Sequence, residues 1–449
     1  TSSDMLRSLV GSEMRITDRN TREIVLDTLL EMERGREYSN QIIKAVLDKY
    51  DYLDSQDKRF IKRLAEGCVE RRIELDYILN QYSTVPVNRM KPLIRCLMRM
   101  GVYQILYMDG VPDSAACNEA VKLAGQRKFT NLKGFVNGVL RKVAARKDEI
   151  SLPDFESDPL RHLSVRYSMP EWIVQMWLDE YGTQQTRELL EQLLAVHPVT
   201  VRFAGRITQA QRQAYVESWQ RDGVRVTPSE YLDYAYYLEG VQGVTGLAGY
   251  AEGAFLVQDI SSMLCVEAAG LREGAFVMDV CAAPGGKALL AAQRAAHVLA
   301  RDVSEQKMER IRENARRMGL EDKMTLELWD ACLPDESRAE SADVVFMDVP
   351  CSGLGVLGKK RDIKYRVTPE SLKELTELQR RIIEGSWRYV KPGGVLMYST
   401  CTINRQENQE MCGWICENFP FILEESRQLL PQQAHMDGFF FARLRRKMD

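Results

Sequence analysis

With 449 residues, 45% of them hydrophobic and 28% charged, the chain is long enough for two or three domains that each bury a core of their own. Lys and Arg number 61 against 64 Asp and Glu, which excludes a uniformly cationic nucleic-acid binder, and no apolar run reaches the roughly 18 residues of a membrane span. Ten cysteines without a CxxC pair, and four histidines far apart (His162, His197, His297, His435), set aside a disulfide framework and the usual zinc spacings; no metal is expected.

The first residues lack the apolar stretch of a secretory signal, so a cytoplasmic location is expected, and residues 1–16 are expected to be disordered or vector-derived. From 17 to about 147 the apolar spacing is helical throughout. Ile24, Val25, Leu29 and Leu30 share one face of a helix over 22–33, with Gly35 as its stop, and further helices are expected over 55–81, 89–107, 114–124 and 131–145. The acidic stretch SLPDFESDP (151–159), with two prolines, has the composition of a linker. The expected division is an all-α domain over 17–148, a linker over 149–160, a small α+β domain over 161–253 and an α/β domain over 254–449. In the small domain, helices over 170–181, 183–196 and 208–221 accompany alternation in VTVRF and VRV; the aromatics of YLDYAYYLEG are read as packing rather than as a base-stacking platform. Beyond 254, short apolar strands are expected over 276–280, 297–301, 324–329, 343–348 and 394–400, with amphipathic helices over 304–318 and 369–389 between them. That rhythm predicts a doubly wound, mostly parallel sheet.

Charge is distributed unevenly. Residues 88–147 hold twelve Lys and Arg against three acids, a net +9, which leaves -12 for the rest and points to a polyanion partner at one part of the chain.

In open sheets of this kind ligands sit outside the carboxyl ends of the strands. The first expected strand runs into CAAPGGK (281–287), where Gly285 and Gly286 let backbone approach a ligand at a helix start. Neither the P-loop nor the dinucleotide pattern is present, since Cys281 and Ala288 stand where a P-loop needs Gly and Ser or Thr. Acids follow the next three strands: Asp302, suited to ribose hydroxyls, then Asp330 and Asp348. A glycine turn with acids in register suits a nucleoside with an unphosphorylated ribose, such as S-adenosyl-L-methionine. Two cysteines stand at the same rim, Cys351 in DVPCSG and Cys401 in YSTCT, where a thiolate can serve as nucleophile. A thiol beside a methyl donor suits methylation of cytosine C5, an unreactive carbon that thiolate addition at C6 activates; Asp348 can hold the base's N3 and N4 edge. Spacing alone does not rank the two thiols.

CAAPGGK, DVPCSGLGVL, DIKYR and YSTCTINRQEN together resemble the motifs of the Sun/Fmu family of RNA cytosine-5 methyltransferases. PDSAACNEAVKLA and FVNGVLRKV are similar to that family's bacterial 16S ribosomal RNA branch, whose N-terminal domain is NusB-like; the likeness covers about 17–446. The resemblance implies a Rossmann-like class I methyltransferase domain preceded by the NusB-like and small α+β domains. It implies S-adenosyl-L-methionine as cofactor and 16S ribosomal RNA, or a small-subunit assembly intermediate, as partner of a monomeric enzyme. By matching motifs, Cys401 takes the nucleophile's place and Cys351 that of the thiol assisting release, with Asp348 beside them. Cys281, Ala282, Ala283, Pro284, Gly285, Gly286, Lys287, Asp302, Asp330 and Asp348 fall on the cofactor positions. The chain departs from the pattern at Ala288, for the usual Thr, and at Thr402, for the common Ser. RNA phosphates are expected on Arg127, Lys128, Lys133, Arg141 and Lys142, with Lys359, Lys360, Lys364 and Arg366 guiding the target strand near the crevice. A transfer-RNA cytosine methyltransferase, or a non-catalytic RNA-binding factor, are the alternatives.

Overall fold

The computed structural model describes residues 20–35, 37–241, 243–295, 297–431 and 435–448. The expectation for residues 1–16 lies outside them. The chain divides into two units: Thr1–Leu194 with Leu357–Arg366, and Ala195–Val356 with Val367–Asp449.

The first unit is helical, with α1 (Thr21–Glu33), α2 (Ser39–Lys49), α3 (Ser55–Glu70), α4 (Arg72–Tyr82), α5 (Pro92–Tyr107), α6 (Asp113–Gln126), α7 (Lys133–Ala145), α8 (Pro159–Arg166) and α9 (Glu171–Leu194). Leu26, Leu64, Leu97 and Leu140 are fully buried at its centre. Asn20 caps α1, and Gly35 stops it at φ +72, a left-handed turn that a side chain resists. The single helix expected over 55–81 is two, broken at Arg71, and the Ser168 hydroxyl accepts the Ile73 amide at 2.8 Å to start the second. Both halves face one core, so the apolar period runs through the break. The two helices expected over 170–181 and 183–196 are both present within α9, separated at Gly182, whose φ of +73 is not helical. Pro159, read as the end of a linker, is the first residue of α8, with Asp158 as its cap.

The second unit opens with β1 (Val199–Phe203), α10 (Gln209–Arg221), β2 (Arg225–Pro228), β3 (Ala235–Glu239) and β4 (Phe255–Val257). These strands form an antiparallel sheet in the order β2-β3-β1-β4, with Trp219 of α10 stacked on Phe203 at 5.4 Å between ring centroids. Tyr237 of the aromatic run is buried and Tyr236 packs edge-on against Phe203, so these rings do pack.

Next come α11 (Ile260–Ala268), β5 (Phe276–Asp279), α12 (Gly286–Ala292), β6 (His297–Asp302), α13 (Glu305–Met318), β7 (Met324–Leu328), β8 (Ala342–Asp348), α14 (Pro369–Ser386), β9 (Val390–Thr400), α15 (Gln409–Asn418), β10 (Phe421–Leu429) and β11 (Phe439–Arg446). The sheet order is β10-β11-β9-β8-β5-β6-β7, parallel from β9 to β7 and antiparallel where β11 meets β9 and β10. All five expected strands are present. β5 lies between β6 and β8, so the strand order reverses there and a crevice opens past the carboxyl ends. Strand β10 went unread because FILEESRQL leaves most of its positions exposed and carries no apolar alternation.

Candidate active site

The loop after β5 is held by its own backbone and by the next strand. Gly285 sits at φ +101 as the cap of α12, where any Cβ would also press on Ile311 at 3.0 Å. The Ala282 amide donates to Arg301 O at 2.9 Å, and the Ala283 amide to Asp302 Oδ2 at 3.2 Å. Asp302 Oδ1 accepts the Ser304 amide at 3.1 Å, so the carboxylate staples the loop to the end of β6 and keeps a further lone pair on each oxygen. Cys281 is half-buried beneath the loop; burial and the nearby Asp279 raise its thiol well above the ordinary value. Asp330 is exposed beyond β7, with Oδ1 accepting the Cys332 amide at 2.9 Å.

Lys287 is the charged centre of this end of the sheet. Its ammonium lies 2.6 Å from Asp348 Oδ2 and 4.8 Å from the centroid of the Phe439 ring, nearly out of solvent. Burial works against the charge, but Asp348 and the acidic groups around it hold the ammonium above its usual value. Asp348 Oδ1 accepts the Ser399 hydroxyl at 2.9 Å, which fixes the carboxylate between β8 and β9. Behind the pair, Asp279 is buried and pushed up to about 7 by burial and by the charge of Asp348. This residue was not singled out from the sequence, although an acid closing an apolar strand was the visible signal.

The two rim cysteines meet. Cys351 and Cys401, each half-buried, place their sulfurs 3.3 Å apart, just past β8 and β9. Cys401 directly follows β9, half-buried, with one side packed against the core. The neighbouring Cys401 thiol, together with burial, raises Cys351 well above the ordinary value, because two thiolates at this separation repel. Backbone closes the arrangement from one side: the Gly355 amide donates to Cys401 O at 3.1 Å and the Gly438 amide to Gly355 O at 2.9 Å. A Cβ at Gly355 would stand 1.8 Å from Gly438 O, so only glycine fits.

The donor set fits S-adenosyl-L-methionine. A glycine turn at a helix start, carboxylates at the ends of β6 and β7 for a ribose diol and an exocyclic amine, and the Lys287–Asp348 pair for an amino acid's charges each match one part of that molecule.

Several expected RNA contacts are placed differently. Lys364 is buried with its ammonium on Glu70 O at 2.8 Å, and burial pushes it down to about 7. That corrects the expectation for Lys364, which belongs to the packing of the helical unit, its ammonium buried and bonded internally out of reach of a phosphate. Arg366 binds Asp362 at 2.8 Å and donates to the carbonyls of Gly35 and Glu37, so it too is taken up internally. Arg127 pairs with Glu23 at 3.0 Å and Asp27 at 2.7 Å. Lys128, Arg141, Lys142, Lys359 and Lys360 are exposed and Lys133 is half-buried.

A seven-stranded sheet with this loop and rim defines a Rossmann-like methyltransferase. The family model described as "16S rRNA methyltransferase RsmB/F" matches residues 268–445, the NusB family matches 19–145, and the ferredoxin-like domain of RsmF/B-like methyltransferases matches 169–245. The chain is 32% identical to the probable ribosomal RNA small subunit methyltransferase B of Bacillus subtilis, over 95% of this chain and 99% of that protein. It is also 32% identical to the ribosomal RNA small subunit methyltransferase B of Salmonella arizonae, over 93% and 96%. Among solved structures, that of PH0851 superposes with a TM-score of 0.78 at 22% identity, covering 96% of this chain and all of that one. A methyltransferase homolog protein from Pyrococcus horikoshii gives 0.56 at 24% identity, covering 64% of this chain and 99% of that one; both likenesses speak to the fold. The chain belongs to the RsmB/F family of 16S rRNA methyltransferases.

Proposed function

We propose that this methyltransferase modifies C5 of a specific cytosine in 16S ribosomal RNA through a covalent adduct with Cys401. S-adenosyl-L-methionine supplies the methyl group, activated by its attachment to a sulfonium. The observation that carries the reading is the pair of sulfurs 3.3 Å apart past the ends of β8 and β9, at the same strand ends as the Lys287–Asp348 pair. Cys401 adds as thiolate to C6 of the base, which moves electron density onto C5 and makes it nucleophilic. Asp348, anchored by Ser399 and Lys287, accepts from the N4 amino group and steadies the adduct. C5 takes the methyl group from the sulfonium, and a base or water then accepts the C5 proton. The freed C–H electron pair restores the C5–C6 double bond, and the Cys401 sulfur leaves C6 with the pair of its bond, a departure that Cys351 assists. Cys281, Ala282, Ala283, Pro284, Gly285, Gly286, Asp302 and Asp330 hold the cofactor, with Lys287 and Asp348 at its charged end. Lys128, Lys133, Arg141, Lys142, Lys359 and Lys360 meet RNA phosphates.

Purified protein incubated with labelled cofactor and either 16S ribosomal RNA or transfer RNA tests this directly, with nucleoside analysis of the product. The expected result is 5-methylcytosine at one position of the 16S RNA. Label only in transfer RNA would overturn the substrate, label on another atom the chemistry, and cofactor binding without transfer to any RNA would make the chain a binding factor.

A further inference from the structure

Close to the two cysteines lies a carboxylate that sits inside the YSTCTINRQEN motif but was given no role from the sequence. Glu407 is completely buried and accepts four hydrogen bonds: Ser352 N at 2.9 Å and Gln379 Nε2 at 3.0 Å on one oxygen, Ser352 Oγ at 2.5 Å and Asn404 Nδ2 at 2.9 Å on the other. All four bonds are donated to it, two by Ser352 of the loop after β8, one by Gln379 of α14 and one by Asn404 of its own segment after β9. Tyr398 of β9 donates to the Glu407 carbonyl at 2.6 Å, and Gln379 donates also to Pro350 O at 3.0 Å, the residue before Cys351.

The direction of the remaining bond follows. Since the Ser352 hydroxyl is spent on Glu407, its oxygen can only accept, and the Thr402 hydroxyl 2.6 Å away must be the donor. Ser352 follows Cys351 in the chain and Thr402 follows Cys401. A relay Thr402, Ser352, Glu407 thus ties the residue after one thiol to the residue after the other, with both side chains out of solvent. The far side of the Cys401 loop is held as well, by Asn408 Nδ2 on Thr402 O at 3.1 Å and by Thr400 Oγ1 on Asn408 Oδ1 at 2.6 Å.

We infer that Glu407 is a positioning residue that sets the spacing and orientation of Cys351 and Cys401 through Ser352 and Thr402. It touches neither sulfur; its effect reaches them through Ser352 and Thr402, and its charge also raises the Cys351 thiol. The relay needs a hydroxyl at 402, which Thr supplies and Ser would supply equally. It also needs a carboxylate at 407: Gln would aim two N–H groups at a pocket built only of donors. The inference rests on the proposed two-thiol reaction for its catalytic consequence, but the spacing itself is measurable without RNA or cofactor.

Diamide reads that spacing. The two thiols give up two protons and two electrons, the N=N bond of the reagent is reduced to a hydrazine, and one S–S bond forms; sulfurs already 3.3 Å apart need little movement to close. The rate of Cys351–Cys401 disulfide formation, identified by peptide mass, is compared in the natural chain and in Thr402→Val, Thr402→Ser and Glu407→Gln. Closure is expected to slow about tenfold or more in Thr402→Val and Glu407→Gln and to recover in Thr402→Ser, with kcat for methyl transfer falling in parallel and KM for the cofactor unchanged. Thr402→Val keeps the test decisive if Glu407→Gln does not fold. Closure at the natural rate in a folded Thr402→Val would overturn the positioning role even if methyl transfer were lost. If the disulfide rates change as expected while no cytosine methylation is found in any variant, the proposed reaction fails and the clamp stands.

Discussion

At Cys351 and Cys401 two sulfur atoms lie 3.3 Å apart. The proposed reaction gives them different parts, Cys401 the nucleophile and Cys351 the thiol that assists release. Cys401→Ala is therefore expected to abolish methyl transfer while equilibrium dialysis shows cofactor affinity within about threefold of the natural chain, a loss confined to the covalent step. Weakened cofactor binding of the same size as the activity loss would count against that assignment. Lys364 allows a second test with a definite sign. Its value is about 7 in the folded chain against about 10.4 for an unfolded lysine, so between those limits the unfolded state binds more protons. Stability of the helical unit should rise as pH climbs from 7 towards 10, and Lys364→Met should flatten that slope in thermal melts; an unchanged slope would mean that Lys364 is charged in place. The rim cysteines and acids were legible in the sequence because strand ends of an open sheet are predictable positions. Lys364 was not, since a buried lysine and a solvated one are written alike, and the role of Glu407 was not, because its carboxylate's partners come from three segments distant or local in sequence.

Elements in this chain are finished by residues far away in sequence. Tyr38 gives α2 no side-chain cap; instead Asp362 accepts the Ser39 amide at 3.0 Å and its hydroxyl at 2.7 Å while pairing with Arg366. Asp362→Ala removes a helix cap and a buried ion-pair partner together, which should cost the helical unit about 2 to 3 kcal/mol and open Leu357–Arg366 to protease. A melt and a cleavage pattern identical to those of the natural chain would contradict it. Gly355→Ala is the matching test in the other unit. A methyl group 1.8 Å from Gly438 O must move the backbone that supports Cys401, so methyl transfer should fall about tenfold or more with the helical unit unaffected. The parallel strands were legible because each is a short apolar run before a polar loop. The break at Arg71 and strand β10 were not, one lacking punctuation and the other lacking an apolar face.

For the whole molecule, the charge asymmetry read from the sequence is partly neutralised in the fold. Arg95, Arg99 and Arg127 of the basic segment are bound to carboxylates of the helical unit, which leaves Arg89, Lys91, Lys122, Lys128, Arg141, Lys142, Arg146 and Lys147 as its exposed cations. Binding to 16S RNA should weaken steeply with salt, and Lys128→Ala with Lys142→Ala should lower the slope of log K against log salt by about 1 to 2. A slope unchanged in the double variant would move the RNA to another face. The chain crosses between units at 357 and again at 366, a path that motif order alone could not show.

The central claim is a transient bond between Cys401 and a cytosine ring, and mass spectrometry of a trapped complex tests it most directly. Cys351→Ala, incubated with 16S RNA and S-adenosyl-L-methionine and digested with nuclease and protease, should yield a methylated cytidine nucleotide attached to the peptide that contains residue 401. A nucleotide on any other cysteine, or continued turnover with no adduct on that peptide, would contradict the account.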